Sequence, residues 1–301
     1  MKKLIPLCFA LALTPGAAFS QVIVNDSWSS GLRSSPPNDA AWWYSTSSSA
    51  IEVGTGYLGL VSGGSGRGIA GTFASQTLGI GDTLTATFTF TTPATVGNNK
   101  SSSFRAGFFD TTGHPGLAAD ISASSGSPNP VYNNVNGYMM DYDVNTSTAG
   151  ADITVRERSN PASGQLLATT SDYTSLGNGG IEYFFAPNTS YTGVFSVTRT
   201  GADTLDLTGS LFQGSTQLSI YTTEDSSGIT SSFGMLAFQV GSSTFGSSST
   251  VNAPDNGIDF TNIKVEYFAA PVPEPSTFAL LGAGGLLVLL RTRKLIAGVQ
   301  K

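Results

Sequence analysis

The chain has 301 residues, of which only 11% are charged; its formal net charge is −6, and it contains one histidine and one cysteine. An acidic chain is a poor partner for nucleic acid or anionic lipid, and a single histidine effectively excludes a histidine-dependent triad or a multi-histidine metal site. With so few charges, the folded surface must be covered largely by Ser, Thr, Asn and Gly, which is typical of secreted β proteins.

The N-terminus places Lys2 and Lys3 before the apolar run Leu4 to Leu13, and Pro15 and Gly16 break that run ahead of small residues. This is the pattern of a secretory signal peptide, assigned to residues 1–20, and it makes the secretion machinery a partner. Cleavage after Ser20 puts Ala18 and Ser20 at the two small-residue positions; cleavage after Ala18 is the alternative. Cys8 is lost with the signal in either case, so the mature chain has no disulfide and must rely on its core. Between Gln21 and Ala270 there are 14 Asp and 5 Glu against 6 Arg and 2 Lys, a formal charge of −11.

Residues 21–268 alternate apolar and polar positions with a period of two. The clearest case is Leu84-Thr85-Ala86-Thr87-Phe88-Thr89-Phe90, which predicts a strand with one buried and one wet face. Further strands are predicted at Phe104 to Phe109, Tyr138 to Val144, Ile153 to Glu157, Tyr191 to Arg199, Thr204 to Leu211, Gly234 to Val240 and Ile258 to Phe268. Turn residues separate them, as in Gly79-Ile80-Gly81-Asp82, Gly97-Asn98-Asn99, Asn178-Gly179-Gly180 and Asn256-Gly257. Ser122 to Pro130 and Gly241 to Thr250 read as exposed loops. Many strands with polar turns and no crossover helices make the fold class all-β, an antiparallel β-sandwich. Trp42-Trp43-Tyr44, a first strand with Glu52-Val53, then Gly56-Tyr57-Leu58-Gly59-Leu60, and a closing strand Ile258 to Tyr267 together resemble the concanavalin A-like jelly roll. That resemblance implies that the first and last strands pair. A β-helix is the structural rival, but the chain carries no fixed short repeat.

Candidate chemistry is sparse. His114 sits in the turn-like Gly113-His114-Pro115-Gly116, and no Gly-x-Ser-x-Gly elbow joins a strand to a helix. The Glu-x-Asp-x-x-Glu strand motif of jelly-roll glucanases is missing too; Asp141-Tyr142-Asp143 is its nearest approach and reads as a solvent-facing strand edge. Asp141, Asp143 and Asn145, with Asp152 at position twelve, have the one, three, five spacing of a calcium loop, although Thr146 stands where such a loop needs glycine. Arg156-Glu157-Arg158 reads as a strand with solvated charges on one face. Trp42, Trp43 and Tyr44 are candidates for a glycan-stacking surface, although neighbours on a strand point to opposite faces and at least one belongs to the core.

After a linker at residues 269–272, the chain ends with Val272-Pro273-Glu274-Pro275-Ser276, the apolar run Phe278 to Leu290, and the basic cluster Arg291, Arg293 and Lys294. The prolines delay helix formation until after Pro275. A helix over residues 278–290 spans roughly 20 Å, short of a hydrocarbon core of about 30 Å, so the flanking residues and snorkelling basic side chains must complete a single transmembrane helix. The basic cluster stays cytoplasmic, with residues 295–301 as a tail. This C-terminus resembles the PEP-CTERM sorting signal, here residues 273–294. The resemblance implies recognition by an exosortase, transient membrane anchoring, delivery to the cell surface or extracellular matrix, and association with exopolysaccharide. The function expected is a secreted, non-enzymatic surface protein without a cofactor; a lectin-like carbohydrate-binding module or a polysaccharide hydrolase or lyase are the alternatives.

Overall fold

Threonine alternating with apolar residues builds the central strand of the molecule. Along Thr83–Thr91, Leu84, Ala86, Phe88 and Phe90 are fully buried while the threonines stay half-exposed. The computed structural model describes residues 19–271, except 35, 46–50, 64–65, 99, 102, 115, 122–128 and 146–150. The expected signal peptide up to residue 18, and the sorting signal from Val272 onward, lie outside the described residues.

Among the described residues fifteen strands follow one another: β1 (Phe19–Asp26), β2 (Ala41–Tyr44), β3 (Ile51–Gly54), β4 (Tyr57–Val61), β5 (Arg67–Thr77), β6 (Thr83–Thr91), β7 (Phe104–Phe109), β8 (Gly137–Tyr142), β9 (Ile153–Arg158), β10 (Tyr173–Gly179), β11 (Ser190–Arg199), β12 (Leu205–Gln213), β13 (Thr216–Asp225), β14 (Ser232–Val240) and β15 (Gly257–Ala269). One 3₁₀ turn, Pro130–Tyr132, is the only helical element among the described residues. Eight strands form one sheet, in the order β13-β12-β11-β6-β15-β4-β3 with β1 also on β15; seven form the other, in the order β10-β9-β8-β7-β14-β5-β2. The described ladders are antiparallel, and residues Ser20–Ala269 make one compact unit. The architecture is the all-β antiparallel sandwich expected from the alternation. The first and last strands do pair, but the first strand is β1 rather than the strand carrying Glu52-Val53, which lies at the sheet edge beyond β4.

Aromatic rings lock the two sheets together. Phe88, Phe90 and Phe260 project from the eight-stranded sheet and meet Phe104 and Phe238 from the seven-stranded one, with centroids 4.9 Å apart for Phe88 and Phe238, 4.9 Å for Phe90 and Phe104, and 4.7 Å for Phe238 and Phe260. Most of these pairs are edge-on or tilted, the arrangements that ring quadrupoles favour.

The two sheets differ on their outer sides. The eight-stranded sheet presents a hydroxyl-rich face, where Thr83 and Thr198, Thr89 and Thr192, and Thr208 and Thr222 hydrogen-bond across strands at 2.8, 3.2 and 2.8 Å. The middle strands of the seven-stranded sheet, β7, β8 and β14, are buried on both sides. Tyr138, Met140 and Tyr142 of β8 face the inter-sheet core, while Met139 joins Phe109, Met235, Leu166, Leu167 and Tyr132 in a second cluster beneath the β7–β8 and β9–β10 connections.

That second layer overturns two expectations. Asp141 is not a solvent-facing edge residue, because it is fully buried on an interior strand and ion-paired to Arg156 at 2.8 Å. Arg158 is not solvated, since its guanidinium donates to the carbonyls of Val135, Ser163 and Gln165 at 2.8, 2.5 and 2.7 Å. Arg105 likewise donates to Leu167 O at 2.6 Å. Covering loops carry backbone carbonyls that no ladder satisfies, and long arginines rising from the sheet supply the donors. The segment Gly241 to Thr250 is not wholly exposed either, because Phe245 is fully buried and its ring packs 5.9 Å from that of Phe104.

Glycines in β10 allow the sandwich to close at one side: a Cβ on Gly177 or Gly179 would sit 2.2 Å from the Tyr221 side chain of β13. Phe88→Ala, which removes a ring in contact with Phe104, Phe238 and Phe260, is expected to lower unfolding free energy by about 3–5 kcal/mol in chemical denaturation.

Candidate functional site

Gly59 of β4 lies between two acidic residues in register, Glu52 on β3 and Asp259 on β15, and Thr91 of β6 extends the same row. Leu58, Leu60, Ile258 and Phe260 belong to the core, so the alternating positions Gly59 and Asp259 face outward. With no side chain on Gly59, the neighbouring carboxylates lean over it. A Cβ at that position would lie 2.8 Å from Asp259 Oδ1 and 3.2 Å from Glu52 Oε2, so both oxygens converge on one small volume.

A cleft of about 330 Å³ opens above this row, with Tyr57, Thr91, Asn188, Asn252 and Asn256 around the two acids. Glu52, 7% exposed, is held by Oε1, which accepts from Asn256 Nδ2 at 2.8 Å and from the Asn252 backbone N–H. The Asn256 carbonyl accepts from Ser62 N–H at 2.7 Å, which ties the loop before β15 to the end of β4. Asn188 and Asn252 have φ of 49° and 62°, the left-handed region that Asn tolerates better than most side chains.

Electrostatics follow from burial without a counter-charge. Burial, reinforced by the charge of Glu52, pushes the Asp259 carboxyl up to about 6. Burial also raises Glu52, against the lowering effect of its Asn256 hydrogen bond. Tyr57 is raised by burial and by both carboxylates. The described lining residues include no Lys, Arg or His. The cleft therefore offers acceptor oxygens, amides and one phenol ring.

The aromatic trio forms no stacking surface, and that expectation is corrected. Trp42 is 1% exposed, its ring sits edge-on to Trp28 at 6.3 Å, and its Nε1–H donates to Asp26 Oδ2 at 2.8 Å. Tyr44 is buried as well. Trp43 packs on the opposite side of β2, where the Arg33 guanidinium lies over its ring at 5.1 Å and is itself clamped to Asp120 by bonds of 2.6 and 2.9 Å.

Of the residues with calcium-loop spacing, Asp141 is already committed to another partner. Asp141 is engaged by Arg156, while the Asp143 N–H continues the strand ladder to Asp152 O at 2.9 Å. Asn145 O accepts from Lys100 N–H at 2.6 Å. Residues 146–150 lie outside the described residues, and among those described no group of three or more His, Cys, Asp or Glu is arranged to hold a metal. His114 is a turn residue whose N–H donates to Thr111 O at 2.9 Å. The Glu52 and Asp259 pair was not singled out by sequence reasoning; the signal for it is an acid in an early strand and another in the closing strand.

Residues 271–294 match the PEP-CTERM protein-sorting motif, so the chain carries that signal, and Val272, Pro273, Glu274, Pro275, Ser276, Arg291, Arg293 and Lys294 all fall within the match. No curated protein matches the chain. Among solved structures, the metal-free VIP36 exoplasmic/lumenal domain is similar at 12% identity and TM-score 0.48, covering 86% of this chain and 94% of that one. Peanut lectin with a 9mer peptide is similar at 9% identity and TM-score 0.42, covering 83% and 97%. The metal-free Emp46p carbohydrate recognition domain is similar at 11% identity and TM-score 0.43, covering 74% and 87%. These neighbours are legume-lectin-like, concanavalin A-like β-sandwich domains, and the likeness is one of fold. Among the described residues no helix is long and apolar enough to cross a membrane; the apolar run Phe278 to Leu290 lies outside them.

Asp152, fully buried just before β9, is expected to make stability depend on pH. Burial pushes its carboxyl up to about 7, with Asp143 and Glu182 adding to the rise and Ser219 and the Tyr183 N–H offsetting part of it. An unfolded Asp releases its proton near 3.8, so between about pH 4 and 7 the folded state binds more protons and stability falls as pH rises. The thermal midpoint is expected to drop across that window, and Asp152→Asn, which stays neutral, should flatten the drop. An unchanged slope in the variant would contradict this assignment.

Proposed function

We propose that the protein is exported, held at the membrane by its C-terminal segment for recognition by an exosortase, and then displayed at the cell surface or in the extracellular matrix as a non-enzymatic, polysaccharide-associating sandwich. The PEP-CTERM match at residues 271–294 is the observation that carries the sorting half of this reading. The binding half is supported by the cleft over Gly59. Its volume falls in the range of small-ligand sites, and its carboxylates, amides and single phenol ring suit the hydroxyls and ring faces of sugars. This cleft replaces Trp42, Trp43 and Tyr44 as the glycan contact.

A hydrolytic second reading is favoured by one observation, the convergence of two carboxylates, because glycoside hydrolysis uses an acid pair. Against it, Glu52 Oε1 is already occupied by two donors. Release of reducing ends from a polysaccharide, lost in Glu52→Gln, would decide for the enzyme.

Deleting Pro273 to Pro275 is expected to leave the sandwich folded and exported but to shift it to the wrong envelope fraction, as read by fractionation and immunoblotting. Unaltered localisation of that deletion would overturn the sorting role. Purified exported protein is expected to co-sediment with the producing cells' own extracellular polysaccharide, and failure to do so would overturn the binding half alone.

A further inference from the structure

Two carboxylates share the floor of the cleft without a cation to neutralise them. Asp259 has no hydrogen-bond or cationic partner among the described residues, and the described wall adds amides, hydroxyls, the Tyr57 ring and the small apolar side chains of Pro93, Ala253 and Pro254, but no cation. Like charges a few ångströms apart repel by a few kcal/mol in a partly desolvated setting, so this floor favours whatever cation enters it. We propose that the cleft binds the ammonium group of an amino sugar, with Glu52 and Asp259 as its paired anionic partners and the Asn188 and Asn252 side of the cleft facing the sugar hydroxyls. The assignment rests on the polysaccharide-binding reading above and adds a sugar class to it.

The geometry selects among cations. Calcium takes six to eight oxygen ligands, and among the described residues no cluster of three acidic or histidine groups is available to hold a metal. A peptide lysine would bring a four-carbon apolar stem, but the cleft wall is mainly polar. An ammonium on a pyranose ring matches both parts of the site, since its three N–H groups reach Glu52 Oε2 and Asp259 Oδ1 over Gly59 while the rest of the ring meets amides and the phenol. The same floor disfavours uronic acids and sulfated sugars, which would add a third negative charge. Glu52, Tyr57 and Asp259 are the titratable groups lining the cleft, and with Asp259 raised to about 6, ammonium binding should strengthen as pH rises through that value.

The test is calorimetric titration of the purified exported protein at pH 6.5 with two probes, the glucosamine trimer and the N-acetylglucosamine trimer. The glucosamine trimer is expected to bind at least tenfold more tightly. Glu52→Gln and Asp259→Asn should each cost it tenfold or more and narrow the gap between the two trimers, in proteins that still melt cooperatively. If either variant fails to fold, the comparison of the two trimers on the unmodified protein decides the matter. Equal affinity for both trimers overturns the ammonium assignment, as does glucosamine binding that both folded variants retain, which would reflect the overall negative charge. Binding abolished by a calcium chelator overturns it in favour of a metal. In each of these cases co-sedimentation with native polysaccharide can still succeed, so this failure is distinguishable from failure of the polysaccharide reading itself.

Discussion

Aromatic packing across the two sheets is the contact on which the rest of this molecule depends. Phe88, Phe90 and Phe260 interlock with Phe104 and Phe238, and all five rings are fully buried. A chain with a single cysteine can form no disulfide within itself, so cohesion must come from burial, at about 1.5–3 kcal/mol for each large apolar side chain. The strands bearing these rings also set the positions on the opposite face. With Phe260 and Ile258 fixed in the core, Asp259 has to point outward, and its register with Gly59 and Glu52 follows from the ladders. The cleft is thus a consequence of core packing on the other side of the same strands.

Unequal covering of the two sheets then determines where a ligand can approach. The outer side of the seven-stranded sheet is occupied by its own connections, pinned by Arg105 and Arg158 through loop carbonyls. Its arginines and acids are spent on structure, as in the Asp141 and Arg156 pair. The eight-stranded sheet keeps an open face of threonines, with an acidic floor at one end of the row that runs from Thr91 to Glu52. There Glu52 meets its two donors through Oε1 alone and Asp259 has no hydrogen-bond or cationic partner among the described residues, which leaves carboxylate oxygens available to a ligand.

Alternation revealed the strands whose two faces meet different surroundings. β6 and β11 follow a strict apolar and polar rhythm because one side meets aromatic rings and the other meets water, and their predicted spans agree with the structure to within a residue. β10 escaped notice because Tyr173–Gly179 is rich in glycine and polar residues, chosen to admit the Tyr221 ring rather than to face a core. The burial of Asp141 and Arg158 was illegible for a different reason: periodicity assigns a residue to a face but does not reveal that an irregular loop will cover that face. Trp42 shows the same limit, since an aromatic run reads equally as binding surface or core until the Asp26 carboxylate is seen capping its indole N–H. Glu52 and Asp259 are brought together only by the ladders on either side of Gly59, a juxtaposition with no local signature.

The PEP-CTERM motif at residues 271–294 marks this sandwich for export and sorting. The proposed function adds an N-terminal signal that is removed and temporary retention through the short apolar run Phe278 to Leu290. Intact-mass measurement of the protein recovered from the envelope of its own cells tests that account most directly. The expected product begins at Phe19 or Gln21 and lacks the apolar run and basic cluster. A protein that reaches its final location still carrying Arg291 to Lys301 would contradict it.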